Sequence, residues 1–514
     1  MKKQYFNKIL IFISLVILAL SVILNKNFGD LDELWNYNFA RNISDGLVAY
    51  RDFNIIVTPL SAMIASIFIY FFGNELVTMR ILAAILISII LLLGYLILEN
   101  KKIPKWLNIV TMIISFFVIK KYIAYDYNYG ILAVGLFICY LELKNYDKTK
   151  EILEQNILTN IFIGILLGIG ILLKQTIGIV LACCVIGYPI FEIRKKEQIK
   201  KFLNKAIIRI IGMLIPLIIF IIYLIVNNAM KDFINYCILG VKTFDNKIEY
   251  KNLICSSNKI LKIASVGLPT IWIIGIIKSL KKKDVKLQII SCIALPLMLI
   301  VYPISDEIHF YIAMYMNWLI TIIIIYEIIA KIKNKIGITM ALQEKNKNAK
   351  TLIYIYCTSL VKKAIEVIFI ILAIYSIKDI MVYQNRMKAN PNVNHYAGIP
   401  LTIETKDNIE KIDNYIKIQN SDIYILDSEA SVYMIPINRY NKDFDMFQKG
   451  NFGEAGEEGQ IKKIQEMKNN TKILIKNKKI TLNWQNPNKV TNYIRKTLHK
   501  IEEIGIYDVY QVEF

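Results

Sequence analysis

The stretch TPLSAMIASIFIYFFG (58–73) decides how the rest of the chain is oriented. Thr58 can cap a helix there and Pro59 suits a first helical position. The apolar run 59–72 has only about 14 residues, where a bilayer-crossing helix needs roughly 17–25. If this run crossed the membrane, every later loop would change sides. The basic clusters RKKEQIKK (194–201), KSLKKKDVK (278–286) and KIKNK (331–335) would then face outward. Read instead as a helix lying in, or re-entering from, the outer interface, it leaves those clusters on the cytoplasmic side, where Lys and Arg concentrate.

Longer apolar runs lie on both sides of it. The candidate spans are 9–24, 76–98, 104–119, 129–143, 157–173, 176–192, 206–226, 259–277, 287–304, 310–330 and 364–380, about eleven in all. The first follows MKKQYFNK and has no small-residue cleavage site after it, so it reads as an uncleaved span. With the N-terminus inside, the cytoplasmic segments hold roughly three times as many Lys and Arg as the outside segments before the C-terminal tail. The expected architecture is a multi-pass α-helical membrane protein in the plasma (inner) membrane, with a membrane domain over 1–380. Its first external loop is 25–75.

Composition agrees. The 514 residues are 55% hydrophobic and 20% charged, with a net charge of +21. Mean hydropathy is +0.44. That balance excludes a disordered chain and a disulfide scaffold, and it argues against a nucleic-acid partner, whose basic surface would surround a smaller apolar core. Seven Cys is few. Cys139, Cys183, Cys184 and Cys292 read as small core hydrophobes, while Cys237 and Cys255 share one outside loop and can pair if it faces an oxidising compartment.

Residues 381–514 differ in kind. Strand-like runs (422–426, 472–475, 506–512) alternate with helix-like ones (407–418, 457–467, 489–501), which predicts an extracytoplasmic α/β domain. GNFGEAGEEG (450–459) is acidic and lacks a phosphate-loop Lys, so it reads as a turn ahead of the following helix rather than a nucleotide site.

The topology gathers a few ionisable residues on one external face. Asp32 and Glu33 open a helix-like segment, ELWNYNFARNI, that stops at Ser44-Asp45-Gly46; the plain structural reading of the pair is a helix cap and a dipole-favoured first turn. Asp126 sits among tyrosines in KKYIAYDYNYG (120–130), where an aromatic belt is ordinary but a carboxylate is not. Lys174 sits between two apolar runs with almost no loop, either snorkelling or offering a cation to a lipid phosphate. YPISDEIHFY (302–311) brings Asp306, Glu307 and His309 to the same side.

These segments resemble a known family. The uncleaved first span, DELWNYNFARNISDGLVAYRDFNIIVTPL (32–60), AYDYNYGIL (124–132) and LLKQTIGIV (172–180) are similar, in order and sidedness, to the GT-C membrane glycosyltransferases. The branch resembled is that of the lipid A aminoarabinose transferases and protein O-mannosyltransferases. The resemblance covers residues 1–230 well and the later spans in layout only. It implies a GT-C-like fold and a sugar donor carried on a polyprenyl phosphate. The acceptor would be a hydroxyl of a cell-envelope glycan, lipid or protein. By position it implies Asp32 as base with Glu33 beside it, Asp126 as a second acid of the site, and Lys174 on the donor phosphate. Relatives often carry Lys or His before the Pro of the interfacial helix; here Thr58 stands there, with Arg51 a substitute cation and His309 a further contact.

The residue types suit that chemistry. Inverting transfer needs a carboxylate base near the attacking hydroxyl and positive charge on the departing phosphate. The sequence has no P-loop and no convincing metal cluster; a divalent cation at Asp32, Glu33 and Asp126 is the disfavoured option. Two other readings compete. A flippase of lipid-linked glycans would place ionisable groups at mid-span, and a non-catalytic envelope-assembly protein would not need these acids or Lys174.

Overall fold

The computed structural model describes residues 2–29, 31–149, 151–154, 156–244, 247–343, 363–389, 393–480 and 486–513. Helices α1 (Lys2–Ile23), α2 (Leu31–Ser44), α3 (Leu60–Phe72), α4 (Leu76–Asn100), α5 (Lys105–Ile119), α6 (Tyr127–Thr149), α7 (Ile157–Leu173), α8 (Gln175–Gly187) and α9 (Lys196–Val226) form the first half. Short helices α10 (Met230–Phe233) and α11 (Lys251–Ile254) precede α12 (Lys259–Lys282), α13 (Val285–Met298), α14 (Glu307–Ala313) and α15 (Tyr315–Gln343). Then come α16 (363–375) and α17 (Ile377–Ala389). Most of the basic segment expected inside at 331–363 lies outside the described residues.

A helix occupies each of the eleven predicted span positions. Among the described residues, six helical segments are long and apolar enough to cross a membrane by length and composition: Phe6–Ile23, Leu76–Asn100, Gln175–Glu192, Lys196–Val226, Lys259–Lys282 and Tyr315–Ile332. Their outward faces stay apolar. On α9, Ile211, Ile218 and Ile222 are each more than half exposed to the surroundings (54%, 51% and 54%), which only a hydrocarbon solvent tolerates over such an area. The run that decided the orientation forms the 13-residue α3, too short to cross.

Three local expectations change. Thr58 does not cap α3: the N-cap residue is Pro59, with no side-chain cap bond. The Thr58 hydroxyl instead donates to the Ile171 carbonyl (2.9 Å), one of the carbonyls in the last turn of α7 that have no partner within the helix. The predicted helix over 489–501 ends early. It runs Asn488–Thr497, and His499–Ile504 is a strand, because Lys500 and its neighbours pair across to the final strand. Cys237 and Cys255 do not pair; the first is buried and the second exposed.

Helices α7 and α9 pack backbone to backbone. A Cβ on Gly164 would lie 2.3 Å from the Arg209 carbonyl oxygen and 2.9 Å from Gly212 Cα, and a Cβ on Gly168 would lie 2.5 Å from the Met213 carbonyl oxygen. This small-residue stripe allows close approach where lipid offers no hydrophobic drive for association. At the same end of the bundle, Arg209 donates to the Glu142 carboxylate, to Asn160 Oδ1 (3.1 Å) and to the Val185 carbonyl (2.7 Å), while the Tyr188 hydroxyl donates to Glu142 (2.8 Å). Ionised groups so deep must be paired. They tie α6, α7, α8 and α9 together at the ends opposite Asp126 and Lys174.

The C-terminal region contains both strands and helices. Strands β1 (Ile423–Ile425), β2 (Lys472–Lys476), β3 (His499–Ile504) and β4 (Tyr507–Gln511) form one sheet in the order β1-β2-β4-β3. The β1/β2 pair is parallel and the others antiparallel. Helices α18 (Ile403–Ile418), α19 (Ala430–Met434), α20 (Gly456–Gln465) and α21 (Asn488–Thr497) accompany it. The boundary expected at 380 falls inside α17. The largest core runs without a break from Leu15 and Leu91 in the bundle to Val432, Leu474 and Val509 beside the sheet.

Candidate active site

Helix α2 sits between the bundle and the C-terminal region and is held from both sides. On the bundle side, Glu33 receives two hydrogen bonds from Arg80 (2.9 and 3.0 Å), and both side chains are almost wholly buried. Arg80 also donates to the carbonyls of Ile23 and Lys26 (3.1 and 2.7 Å). On the other side, Trp35 Nε1 donates to the Ser428 carbonyl (2.9 Å), Asn38 and Asn42 donate to Asp445 (3.0 and 3.3 Å), and Arg41 donates to the Arg439 carbonyl (2.8 Å). Burial pushes the Asp445 carboxyl up to about 7, against the pull of those two amides and of Arg41. The helix starts at Leu31, so Asp32 lies in its first turn, half-buried, while its stop after Ser44 falls where predicted.

Lys174 is placed by a tight hairpin. Its N–H donates to the Gly170 carbonyl (3.1 Å) and its own carbonyl accepts from Gly178 N–H (2.8 Å). A Cβ on Gly178 would lie 2.5 Å from the Gly170 carbonyl atoms, so only glycine lets α8 start back along α7. The Lys174 ammonium donates to Asn128 Oδ1 (2.6 Å) and lies 5.3 Å from the Tyr127 ring centroid. Asn128 in turn donates from Nδ2 to Asp126 (2.7 Å), and its backbone N–H does the same (3.2 Å). Asp126, Asn128 and Lys174 thus form one chain of hydrogen bonds.

The electrostatics join further groups to it. Burial pulls the Lys174 ammonium down to about 8, although Asp126 and Asp32 oppose that shift. Burial raises the Asp126 carboxyl, while His309, Lys174 and the Asn128 hydrogen bonds pull it back. His309 Nδ1 lies 2.8 Å from Asp306 Oδ1. Burial pulls the imidazole down, but the hydrogen bond and charge of Asp306 outweigh it, with Asp32 contributing, and leave it above its ordinary value. Asp32, Asp126, Lys174 and His309, from four separate segments, therefore share one local field, with Asp306 holding the histidine.

A cavity of about 400 Å³ opens beside them, lined largely by apolar side chains such as Ile56, Val57, Ile177, Val180 and Leu299. Lys174 and His309 stand on its wall together with Tyr127, Gln175, Lys242 and Lys247. A mostly apolar cavity with a few cations suits an amphiphile with an anionic head.

Asp32 and Asp126 do not line this cavity, although both act electrostatically on groups that do, and the last two predicted residues lie elsewhere. Glu33 is engaged by Arg80, and Arg51 is on the surface, donating twice to Asp52 (2.8 and 2.7 Å) and once to the Asn227 carbonyl (3.2 Å). Neither lines the cavity. At the position before Pro59, the Thr58 N–H donates to Gln175 Oε1 (3.3 Å), so this corner is stitched by neutral groups. Among the described residues, no group of three or more His, Cys, Asp and Glu side chains forms a metal-binding cluster. Sequence reasoning missed Asn128, the amide link, and Lys242 and Lys247. The signal that found Lys174, a cation outside against the charge bias, also marks those two lysines.

Comparison with known proteins bears on the fold. A family model for dolichyl-phosphate-mannose-protein mannosyltransferases matches residues 57–231, which include Thr58, Asp126 and Lys174 but not Asp32 or His309. No curated protein sequence matches the chain. The structure of ArnT from Cupriavidus metallidurans in the apo state is similar, with a TM-score of 0.56 and 10% identity over 98% of this chain and 97% of that one. The same protein bound to undecaprenyl phosphate gives 0.52 and 10% over the same shares. The oligosaccharyltransferase AglB from Archaeoglobus fulgidus, in complex with an inhibitory peptide and a dolichol-phosphate, gives 0.47 and 11% over 92% and 70%. The chain therefore shares the fold of ArnT along nearly its whole length, and its residues 57–231 are similar to the protein mannosyltransferase family.

Proposed function

We propose that this chain transfers a sugar from a polyprenyl-phosphate donor to a hydroxyl of a cell-envelope glycan, lipid or protein on the outer face of the membrane. The observation that carries the reading is an apolar-lined cavity of about 400 Å³ with Lys174 and His309 on its wall, and with Asp32 and Asp126 within electrostatic reach of those two groups. The polyprenyl stem takes the apolar wall, and Lys174 and His309 face the phosphate. The acceptor oxygen forms a bond to the anomeric carbon as the carbon–oxygen bond to phosphate breaks, with inversion. Asp32 takes the hydroxyl proton, and the cations stabilise the charge that develops on the departing lipid phosphate. Asp126 sets the position and charge of Lys174 through Asn128. ArnT in complex with undecaprenyl phosphate supports the donor class by analogy of fold.

The test is turnover by purified protein with a panel of radiolabelled polyprenyl-phosphate sugars and envelope acceptors. The wild type is expected to release lipid phosphate and label an acceptor with at least one donor. Asp32→Asn is expected to lose about 10²–10⁴ in kcat, the range of a general base. Absence of turnover with every donor overturns the reading, and full activity of Asp32→Asn removes the base assignment.

A further inference from the structure

The glycine-spaced stretch 450–456 lacks a phosphate-loop Lys, yet it has unusual geometry. Gly450, Gly453 and Gly456 all have positive φ (90°, 74° and 56°), three left-handed residues at a spacing of three. This loop packs against residues 235–243, an irregular segment that runs from a π-helical turn over Ile234–Ile238 into a 3₁₀ turn over Leu239–Thr243. That segment is one wall of the cavity, through Tyr236, Gly240 and Lys242.

The contact is close, with backbone against backbone at Gly240 and Gly453 and side chains bonding across it. A Cβ on Gly240 would lie 3.0 Å from Gly453 Cα, and one on Gly453 would lie 2.9 Å from both side-chain polar atoms of Asn235. The Thr243 hydroxyl lies 2.8 Å from the Gly453 carbonyl oxygen and donates to it, and Asn235 Oδ1 accepts from the Glu454 N–H (3.0 Å). Lys463 donates to the Tyr236 hydroxyl (3.0 Å). The same loop reaches the first external loop, where Asn54 Nδ2 donates to the Asn451 carbonyl (3.2 Å). Across the cavity, Gln175, next to Lys174, donates to the Cys237 carbonyl (3.3 Å).

We infer that the 450–454 loop is the positioning element of the donor cavity: it fixes the 235–243 wall at the distance from Lys174 and His309 that an anionic lipid head requires. Gly453, Asn235 and Thr243 are its positioning residues. This rests on the donor reading above. It gives the C-terminal region a part in substrate binding and gives its glycines a reason that phosphate binding does not.

The test uses the full chain in lipid nanodiscs with undecaprenyl phosphate as the probe, read as Kd, and with the active donor, read as KM against kcat. Gly453→Ala meets both the positive φ and the Asn235 side chain, and it is expected to raise Kd and KM by on the order of tenfold while kcat changes less than about twofold. Thr243→Val keeps shape and loses the hydroxyl that is shared between the Gly453 and Gly240 carbonyls (2.8 and 2.9 Å), so it reports even where Gly453→Ala fails to fold, with an expected rise of about threefold. The double variant Asn235→Ala/Gly453→Ala makes room for the new Cβ and is expected to bind more tightly than the product of the single effects predicts. Folded Gly453→Ala or Thr243→Val with wild-type Kd overturns the inference, as does strict additivity in the double variant. Failure of the wild type to bind the probe instead overturns the donor reading on which the inference rests.

Discussion

At the scale of single residues, neighbouring carboxylates have different partners. Asp32 feels Lys174 and His309, whereas Glu33 is consumed by Arg80 in a buried pair. Glu33→Gln leaves a buried guanidinium without its counter-charge, which typically costs about 3–5 kcal/mol. The expected outcome is a lowered unfolding midpoint, with the folded fraction retaining turnover; wild-type stability with abolished turnover would put Glu33 in the chemistry instead. Lys174 makes a second prediction. Its ammonium is held near 8, so the cation is present below that pH and lost above it. The profile of kcat/KM, which reports the free enzyme, is expected to fall with a limb near pH 8, and Lys174→Arg, which stays charged, is expected to lack that limb. A flat wild-type profile to pH 10 would contradict a cationic role. Both acids stood out in the sequence as a pair. Their division of labour did not, because Arg80 lies 47 positions from Glu33 and nothing local marks it as the partner.

At the scale of elements, Lys174 is only as well placed as α7 and α8. Helix α7 bears on α9 through Gly164, Gly168 and Gly212, and α8 turns back on it through Gly178. Gly164→Leu forces the α7 and α9 backbones apart. It is expected to reduce the yield of folded protein severely, whereas Gly187→Leu, at a position with open space around it, is expected to fold normally. Equal yields would mean that the glycine stripe does not set the helix spacing. The span positions were legible because apolar length and the Lys/Arg bias act locally. The short α3 was legible for the same reason. Element ends were less so: whether residues 499–501 extend α21 or start β3 depends on β4 pairing from further along the chain. Thr58 likewise reads as a cap, but its hydroxyl serves an α7 carbonyl 113 positions away.

At the scale of the whole molecule, the site is a junction of distant parts. Asp32 comes from the first turn of α2, Lys174 from the α7–α8 hairpin and His309 from α14, and one cavity wall comes from Tyr236, Gly240 and Lys242, backed by the C-terminal region. Sidedness alone grouped Asp32, Asp126, Lys174 and His309, and they share one field. Arg51, chosen by closeness in sequence to Thr58, is directed to Asp52 instead. Lys242 and Lys247 sat in an external loop without a motif, and only folding sets them beside Lys174. The buried ionic network around Glu142 and Arg209, the feature closest to a transport pathway, is internally paired and lies at the far ends of the same helices. We propose that a lipid phosphate docks between Lys174 and His309. It is tested most directly by the binding of undecaprenyl phosphate to purified wild type and Lys174→Ala in nanodiscs. Saturable binding to the wild type is expected, weakened at least about tenfold in a Lys174→Ala protein that remains folded. Absence of binding to the wild type, or equal binding by both proteins, would contradict it.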